Sequence, residues 1–313
     1  WREAAEHFTK TVGLSTPDEK TLVVTLKHPT AYFAEVCAFT TLMPVHPASV
    51  EAFVNLNTQT GMRVQDARWA SPATLVSNGP YVLKKWRFKR DMLLEANPHY
   101  WNRAGMGNSS VLQIVMRDPM LQLLAYDSGD VHWLPELPTT EPVSADLVNQ
   151  NRPDVHNFPA AGTYHYIFNC EEKLSDGSKN PLFDARVRRA MSMAIDRKTI
   201  VSQITRLNQP VAKTFVPPGA LSDYEPPAEA GVEFDPEGAR RLLAEAGYPG
   251  GAGLTGLSIL YNTGGGHQSI AESIRNGWQT HLGVNVAIEA VETRAFRERR
   301  KTRQFTIARS SWY

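Results

Sequence analysis

Cysteine is scarce in this sequence of 313 residues, which contains only Cys37 and Cys170. Neither has a second cysteine at the spacing of metal ligands, and none of the nine histidines belongs to a His-x-His or His-x-x-x-His pair. The sequence therefore predicts no metal site. The two cysteines lie in different predicted parts of the chain, which argues against a disulfide between them but leaves their pairing open.

Long apolar runs and an excess of one charge are also missing. No stretch of 18 consecutive apolar residues occurs, so no membrane span is predicted. The net charge of +1 gives no reason to expect a nucleic-acid partner. Because the chain lacks an initiating methionine, a signal-peptide pattern and a lipidation cysteine near Trp1, we expect an internal fragment of a longer protein. The composition, 42% hydrophobic and 21% charged, indicates a globular protein, and the length of 313 residues favours two or more domains.

Motifs for catalysis and nucleotide binding do not appear. The glycine triplet 264–266 follows a predicted strand, but the Lys-Ser or Lys-Thr pair of a P-loop does not follow it. Ser310 or Ser311 could imitate a nucleophile beside His267, yet the sequence has no Gly-x-Ser-x-Gly elbow. We therefore expect a binding protein without a cofactor rather than an enzyme. The glycines would let the backbone approach an extended ligand closely.

The chain divides into three predicted blocks, 1–72, 73–166 and 167–313. The first contains a strand at 21–26, and the second begins with a hairpin whose arms alternate in hydrophobicity. In the third block, aspartates stand at the predicted starts of helices and Gly247 at the end of one. The alternating hairpin residues are Tyr81, Leu83, Met92 and Leu94, and the candidate helix caps are Asp184, Asp196 and Asp235.

Residues 257–309 carry the strongest pattern, which predicts strand, loop, helix, strand, helix and strand in that order. His267 opens the first helix and Gly283 ends it. Strands separated by single helices are expected to pair in parallel through right-handed crossovers. The predicted elements are a half-buried strand with Leu257, Ile259 and Tyr261, a helix face of Ile270, Ala271, Ile274, Trp278 and Leu282, a strand with Val284, Val286 and Ile288, a short basic helix capped by Thr293, and a strand at 305–309.

The positions of His267 and Arg309 in this pattern favour an anion site. Both residues fall near the carboxyl ends of predicted strands, where open α/β sheets bind ligands. Arginine offers a planar fork of donors to a carboxylate, and a histidine at a helix N-terminus adds a donor beside the positive end of the helix. The alternative, that Arg309 is a surface residue and His267 only a helix cap, stays open.

Four segments resemble one family of proteins. They match patterns of the extracellular solute-binding proteins of peptide-type ABC transporters, which bind oligopeptides and dipeptides, and they follow one another in the expected order. The segments are SNGPYVLKKW at 77–86 with LLEANPHYW at 93–101, FDARVRRAMSMAIDRKTIV at 183–201, FDPEGARRLLAEAGYP at 234–249, and the final stretch from 257 to 313.

The resemblance implies an α/β fold of the periplasmic-binding-protein type, with two lobes that close around a ligand (a Venus-flytrap, type II) and an extra small lobe. Residues 1–72 would belong to the small lobe, 73–166 to the first large lobe and 167–313 to the second. The protein would act as a monomer in the periplasm or outside the cell, where a lipid anchor on an N-terminal segment outside this chain could hold it. It would deliver short peptides to an ABC permease and ATPase.

The resemblance also implies a binding site. In the oligopeptide binders, a histidine and an arginine at the positions of His267 and Arg309 hold the C-terminal carboxylate of the peptide. Arg206 lies near the position of a lysine that shares this task in some members. Trp312 is expected either to line a side-chain pocket or to pack in the core, and Asn262 either to hold the loop or to contact the peptide backbone.

Departures from the family pattern leave alternatives. Glu292-Thr293 stands where many members have Glu-Trp, so one aromatic pocket wall is missing, and the acidic residue that holds the peptide ammonium lies beyond Tyr313. Relatives bind nickel chelates, oligosaccharides, haem or opines on the same fold. A sensory ectodomain without a transporter is a further alternative.

Overall fold

The computed structural model describes residues 6–7, 10–137, 142–150, 152–156, 158, 160–207, 209–220 and 224–313. The chain packs as two compact units, Trp1–Asp118 and Pro119–Tyr313. In the described part of the chain, no helix combines the length and the apolar character needed to cross a membrane. The predicted boundary between 166 and 167 falls inside a single strand, Thr163–Phe168, so the residues on both sides of it belong to one sheet. The assignment of the three blocks to lobes stays a prediction.

The first unit is built from antiparallel strands. Its predicted hairpin is confirmed, with Leu83 opposite Leu94, and a third strand joins it on the far side. The turn of this hairpin contains Lys89 with a positive φ of 58°. The strands are β1 (Leu14–Asp18), β2 (Thr21–Val24), β3 (Val54–Leu56), β4 (Arg63–Gln65), β5 (Tyr81–Arg87), β6 (Asp91–Ala96) and β7 (Ser110–Ile114), and the α-helices are α1 (Phe33–Cys37) and α2 (Pro47–Glu51).

The second unit is built around a four-stranded sheet with both parallel and antiparallel pairs. Its strands are β8 (Thr163–Phe168), β9 (Ser258–Asn262), β10 (Ala287–Val291) and β11 (Ile307–Trp312). Its helices are α3 (Pro119–Asp127), α4 (Pro142–Asn149), α5 (Ala185–Met193), α6 (Arg197–Thr199) with a π-helical continuation (Ile200–Thr205), α7 (Pro236–Glu245), α8 (His267–Leu282) and α9 (Thr293–Lys301). Short 3₁₀ turns complete both units at Thr40–Leu42, Ala67–Ala70, Arg103–Gly105, Pro181–Phe183 and Pro249–Gly251.

The sheet has the order β10-β9-β11-β8. Strand β9 pairs in parallel with β10 and β11, as the sequence pattern predicts. Strand β8 pairs antiparallel with β11 and was not predicted as a strand. The chain moves outward from β9 to β10 and then returns across β9 to β11, so the direction of winding reverses between β9 and β11.

Two helices cover opposite faces of this sheet. Helix α8 packs on one face, where Trp278 is fully buried and its indole N–H donates to the Met191 carbonyl at 2.7 Å. Helix α9 packs on the other face, where Phe296 contacts Leu260 and Ala308. The prediction of a half-buried β9 is therefore wrong, because a helix on each face buries both sets of alternating side chains.

The helix ends follow the predicted capping chemistry with one exception. The carboxylates of Asp184, Asp196 and Asp235 accept hydrogen bonds from backbone N–H groups in the first turns of α5, α6 and α7. Gly283 ends α8 in a left-handed conformation, as predicted. Thr293 is not the cap of α9, because the side chain of Glu292 accepts the hydrogen bond from the Arg294 N–H.

Strand limits differ from the predicted ones. The second predicted strand begins only at 287, so Val284 and Val286 are buried in the segment that precedes β10. The third begins at 307 and continues to 312 rather than spanning 305–309. In both cases hydrophobic burial extends beyond the residues that pair with a neighbouring strand.

Cys37 and Cys170 are both free thiols.

Candidate ligand-binding site

The candidate site lies at the carboxyl ends of β9 and β11, where the two strands separate. Their pairing includes only Ile307 with Ile259 and Ala308 with Leu260. Beyond this point Asn262 ends β9, while Arg309 continues along β11. A crevice at a reversal of the winding direction is the usual ligand position in an open α/β sheet.

Three consecutive glycines bring the chain from β9 into α8. Gly264, Gly265 and Gly266 all have positive φ, at 91°, 64° and 71°, a region in which side chains with a Cβ are strained. A Cβ on Gly265 would also lie 3.1 Å from Nε2 of His267. The triplet therefore permits a tight turn and places the backbone against the imidazole.

His267 begins α8 as predicted and is only 7% exposed. Its Nδ1 lies 3.2 Å from the Tyr164 hydroxyl, and the two rings are 5.7 Å apart between centroids. Burial, and to a smaller extent the neighbouring Arg309 cation, lower the pKa of His267 from 6.5 to about 4. The imidazole is therefore neutral at physiological pH in the unliganded protein.

Arg309 is held from two sides. Its Nη1 donates to Oδ1 of Asn262 at 3.3 Å, and its guanidinium lies over the Tyr164 ring at 5.1 Å from the centroid. Its Nε is buried and has no hydrogen-bond partner among the described residues, where it also forms no salt bridge. The guanidinium is thus oriented by neutral groups and retains an uncompensated charge.

Sequence reasoning missed Tyr164 and Tyr166. They lie on the same face of β8, with Tyr166 directly opposite Arg309 in the antiparallel register. Burial raises the pKa of both phenols, that of Tyr166 most strongly. The Tyr166 hydroxyl lies beside that of Tyr164 but forms no hydrogen bond of normal geometry within the described residues. The alternation of large aromatic side chains at 164, 166 and 168 was the available signal for a strand.

The structure joins some of the predicted site residues but not all of them. Asn262, Arg309 and His267 form one group through Tyr164. Arg206 is exposed with a φ of 56°, and its Nε donates to a backbone carbonyl three residues earlier. Trp312 is 68% exposed at the end of β11. Among the described residues, no hydrogen bond, ion pair or ring contact links Arg206 or Trp312 to this group.

The serine alternative has no geometric support in the described part of the chain. The Oγ of Ser310 accepts a hydrogen bond from Arg300 at 3.0 Å, and the imidazole of His267 is engaged with Tyr164 instead of a serine. An oriented cation beside a neutral imidazole is suited to binding an anion.

The family model of the bacterial extracellular solute-binding proteins, family 5 Middle, matches residues 2–313. The chain belongs to this family, and the fold class predicted from the sequence is confirmed. Members of the family are binding proteins of transporters.

Particular relatives are similar along nearly the whole chain. The periplasmic oligopeptide-binding protein OppA of Salmonella typhimurium is 30% identical over 308 residues, which cover 96% of this chain and 52% of the relative. The periplasmic murein peptide-binding protein MppA of Escherichia coli is 30% identical over 310 residues, with the same two coverages. The crystal structure of a periplasmic oligopeptide-binding protein, OppAIV, from Borrelia burgdorferi matches 99% of this chain and 58% of its own, with a TM-score of 0.78 and 28% identity. The chain spans about half the length of the curated relatives it matches.

Proposed function

We propose that this chain forms the ligand-gripping part of an extracytoplasmic substrate-binding protein that captures short peptides for an ABC importer. The family match supports this proposal, as do the names of relatives that bind oligopeptides and murein peptides. The protein would act as a monomer in the periplasm or outside the cell and deliver peptides to a membrane permease and its ATPase. It performs no chemistry on the ligand.

The uncompensated guanidinium of Arg309 is the observation that carries the proposal. A partly buried cation that is oriented by an amide and an aromatic ring, with one Nε–H unpaired, lacks an anion among the described residues. The free carboxylate at the end of a peptide has the charge and the two-oxygen geometry that a guanidinium binds best.

His267 would contribute a second donor to the same carboxylate. If the Tyr164 hydroxyl donates to Nδ1, the neutral imidazole carries its proton on Nε2, the nitrogen beside Gly265. The positive end of the 16-residue helix α8 lies at the same place. Charge-assisted hydrogen bonds contribute about 1.5–3 kcal/mol each, so two such bonds could define the ligand class.

The low pKa of His267 changes the pH range in which it should respond. The sequence predicts a stronger role for this residue below its pKa, which for an ordinary histidine is near 6.5. A bound carboxylate favours the imidazolium and therefore raises the pKa of His267 in the complex. The binding constant should rise as the pH falls from this higher pKa towards about 4, the pKa of His267 in the unliganded site, and should level off below it.

Peptides that differ only at their C-terminus test the proposal. Native mass spectrometry on the purified protein with its natural ends would compare a mixture of short free-acid peptides with the same peptides carrying C-terminal amides. We expect the free acids to be retained and the amides to be lost. Equal binding of both forms would refute the carboxylate anchor, and binding of neither would refute the peptide function in favour of another solute.

Two substitutions distinguish a specific role of Arg309 in carboxylate binding from the general effect of removing an arginine. Arg309→Gln should abolish the preference for free acids, whereas Arg294→Gln, a change of an exposed arginine on α9, should leave it intact. A preference that survives Arg309→Gln would assign the anchor to another residue.

A further inference from the structure

One tyrosine contacts both residues of the candidate anchor. Tyr164 extends from β8, and its hydroxyl lies 3.2 Å from Nδ1 of His267. The guanidinium of Arg309 lies 5.1 Å from the centroid of the same phenol ring. A single half-buried side chain therefore holds the imidazole through its hydroxyl and the guanidinium through its ring.

The direction of the hydrogen bond between Tyr164 and His267 follows from the other neighbours of the phenol oxygen. Burial raises the pKa of Tyr164, whereas the Tyr166 hydroxyl and the Arg309 cation lower it because both direct donors towards this oxygen. A guanidinium has donors only, and a phenol oxygen has two lone pairs and one hydrogen. With its lone pairs facing these donors, Tyr164 has its hydrogen left for Nδ1 of His267.

This direction places the proton of the imidazole on Nε2. A neutral imidazole has one N–H donor and one bare acceptor nitrogen, and at His267 the acceptor is then Nδ1. Nε2 lies beside Gly265, where an added Cβ would be only 3.1 Å away, so the glycine keeps a side chain clear of this nitrogen. An Nε2–H group donates to a carboxylate oxygen, whereas a bare Nε2 would instead accept from the N–H of a C-terminal amide. The tautomer therefore decides which ligand terminus the imidazole favours.

We propose that Tyr164 is a positioning residue that fixes His267 in the Nε2–H tautomer and thereby sets the preference of the site for a free carboxylate over a C-terminal amide. The phenol acts through the imidazole. This inference rests on the proposed function and names a residue that determines its specificity. It also gives a role to β8, the strand that carries Tyr164 into the site.

The tautomer can be measured without a ligand. Proton-nitrogen correlation NMR of the imidazole near neutral pH distinguishes a protonated nitrogen from a bare one, and His267→Gln identifies the resonances. In the unliganded wild-type protein we expect Nε2 to be protonated and Nδ1 to be bare. Tyr164→Phe keeps the aromatic ring beside Arg309 and removes only the hydroxyl, so the two nitrogens should shift towards a mixture of tautomers.

The effect on specificity is measured by isothermal titration with Ala-Ala-Ala and the same peptide as a C-terminal amide. The ratio of the two dissociation constants, amide over free acid, should fall by about 2-fold to 13-fold in Tyr164→Phe, the range that corresponds to one neutral hydrogen bond. Tyr248→Phe is the matched control, because Tyr248 is also half-buried against the core cluster of this unit. Among the described residues no contact links its hydroxyl to the anchor, so the wild-type ratio should be retained.

A double-variant comparison separates positioning from a general structural role. His267→Phe keeps an aromatic ring and removes both nitrogens, so a residue that acts through them has no effect left to exert. Tyr164→Phe should therefore weaken the binding of Ala-Ala-Ala in the wild-type background and change nothing in the His267→Phe background. An equal loss in both backgrounds would show that the hydroxyl acts on something other than His267, which would overturn the proposal.

The outcomes also distinguish this inference from the function on which it rests. A proton on Nδ1 in the unliganded wild-type protein would overturn the role of Tyr164, whether or not peptides bind. Binding of Ala-Ala-Ala with the same amide-to-acid ratio in the wild type and Tyr164→Phe would overturn it too and leave the peptide function standing. If neither peptide binds, the peptide function fails and the specificity role with it. The wild-type spectrum still decides the tautomer if Tyr164→Phe does not fold.

Discussion

In the unliganded protein, we expect the His267 imidazole to titrate with a pKa of about 4. Burial is the larger cause of this low value and the Arg309 cation is the smaller. Replacement of Arg309 by methionine removes the charge and keeps an apolar side chain of similar length. Because the larger cause remains, the pKa should recover less than half of its fall from 6.5, to no more than about 5.3.

The same property makes folding stability depend on pH. The folded protein binds a proton at His267 more weakly than the unfolded chain does, so protonation of this residue favours unfolding. The contribution of His267 to the free energy of unfolding is therefore complete above pH 6.5 and is lost as the pH falls towards 4. A difference of about 2.5 between the two pKa values, at about 1.4 kcal/mol for each unit, corresponds to about 3.5 kcal/mol. His267→Gln should remove this component of the acid sensitivity.

Proton-carbon correlation NMR of the imidazole Cε1–H groups between pH 3.5 and 8 measures the pKa directly, and His267→Gln identifies the resonance. His132, which is exposed, supplies the control, since His132→Gln should leave the titration of His267 unchanged. A pKa near 6.5 in the wild-type protein would refute the buried, neutral state of the imidazole. If the pKa of His267 in Arg309→Met rose by more than half of the difference between about 4 and 6.5, the charge of Arg309 and not burial would be the larger cause of the low value.

Three further changes test the site and the fold. Arg309→Ala should weaken peptide binding by about 2–5 kcal/mol in calorimetry, because the carboxylate loses its partner; unchanged affinity would contradict the anchor. Trp278→Phe should lower the free energy of unfolding by about 2 kcal/mol, because it removes the hydrogen bond to the Met191 carbonyl and leaves a small cavity. A variant as stable as the wild type in urea unfolding would show that this hydrogen bond is dispensable. Asp235→Ala should cost about 1 kcal/mol through the lost cap of α7 and Asp235→Asn much less, and thermal melts that rank the two alike would count against capping.

Helices were the features that local sequence signals predicted best. An aspartate accepts hydrogen bonds from N–H groups two or three residues away, and Gly283 adopts a positive φ without strain, so these ends depend on neighbouring residues. The parallel pairing of β9 with β10 and β11 was also predictable, because a single helix between two strands favours a crossover. Family patterns located His267 and Arg309 for the same reason: the motifs are continuous in the chain.

Contacts between segments that are distant in the sequence could not be predicted from local sequence signals. The pairing of β8 with β11 brings Tyr164 to Arg309 and His267 from more than a hundred residues away in the sequence. Periodicity along β9 shows which side chains alternate, but it does not show that a helix covers each face.

The amino-acid sequence alone was enough to specify the α/β class and the main helices of the second unit, because propensity, capping and short motifs act over a few neighbouring residues. The family resemblance added His267 and Arg309 as the proposed anchor. Tertiary packing was needed to make His267 neutral and to orient Arg309 between Asn262 and Tyr164. Burial and charge act through space, so these properties arise only when separate strands and helices meet at one edge of the sheet.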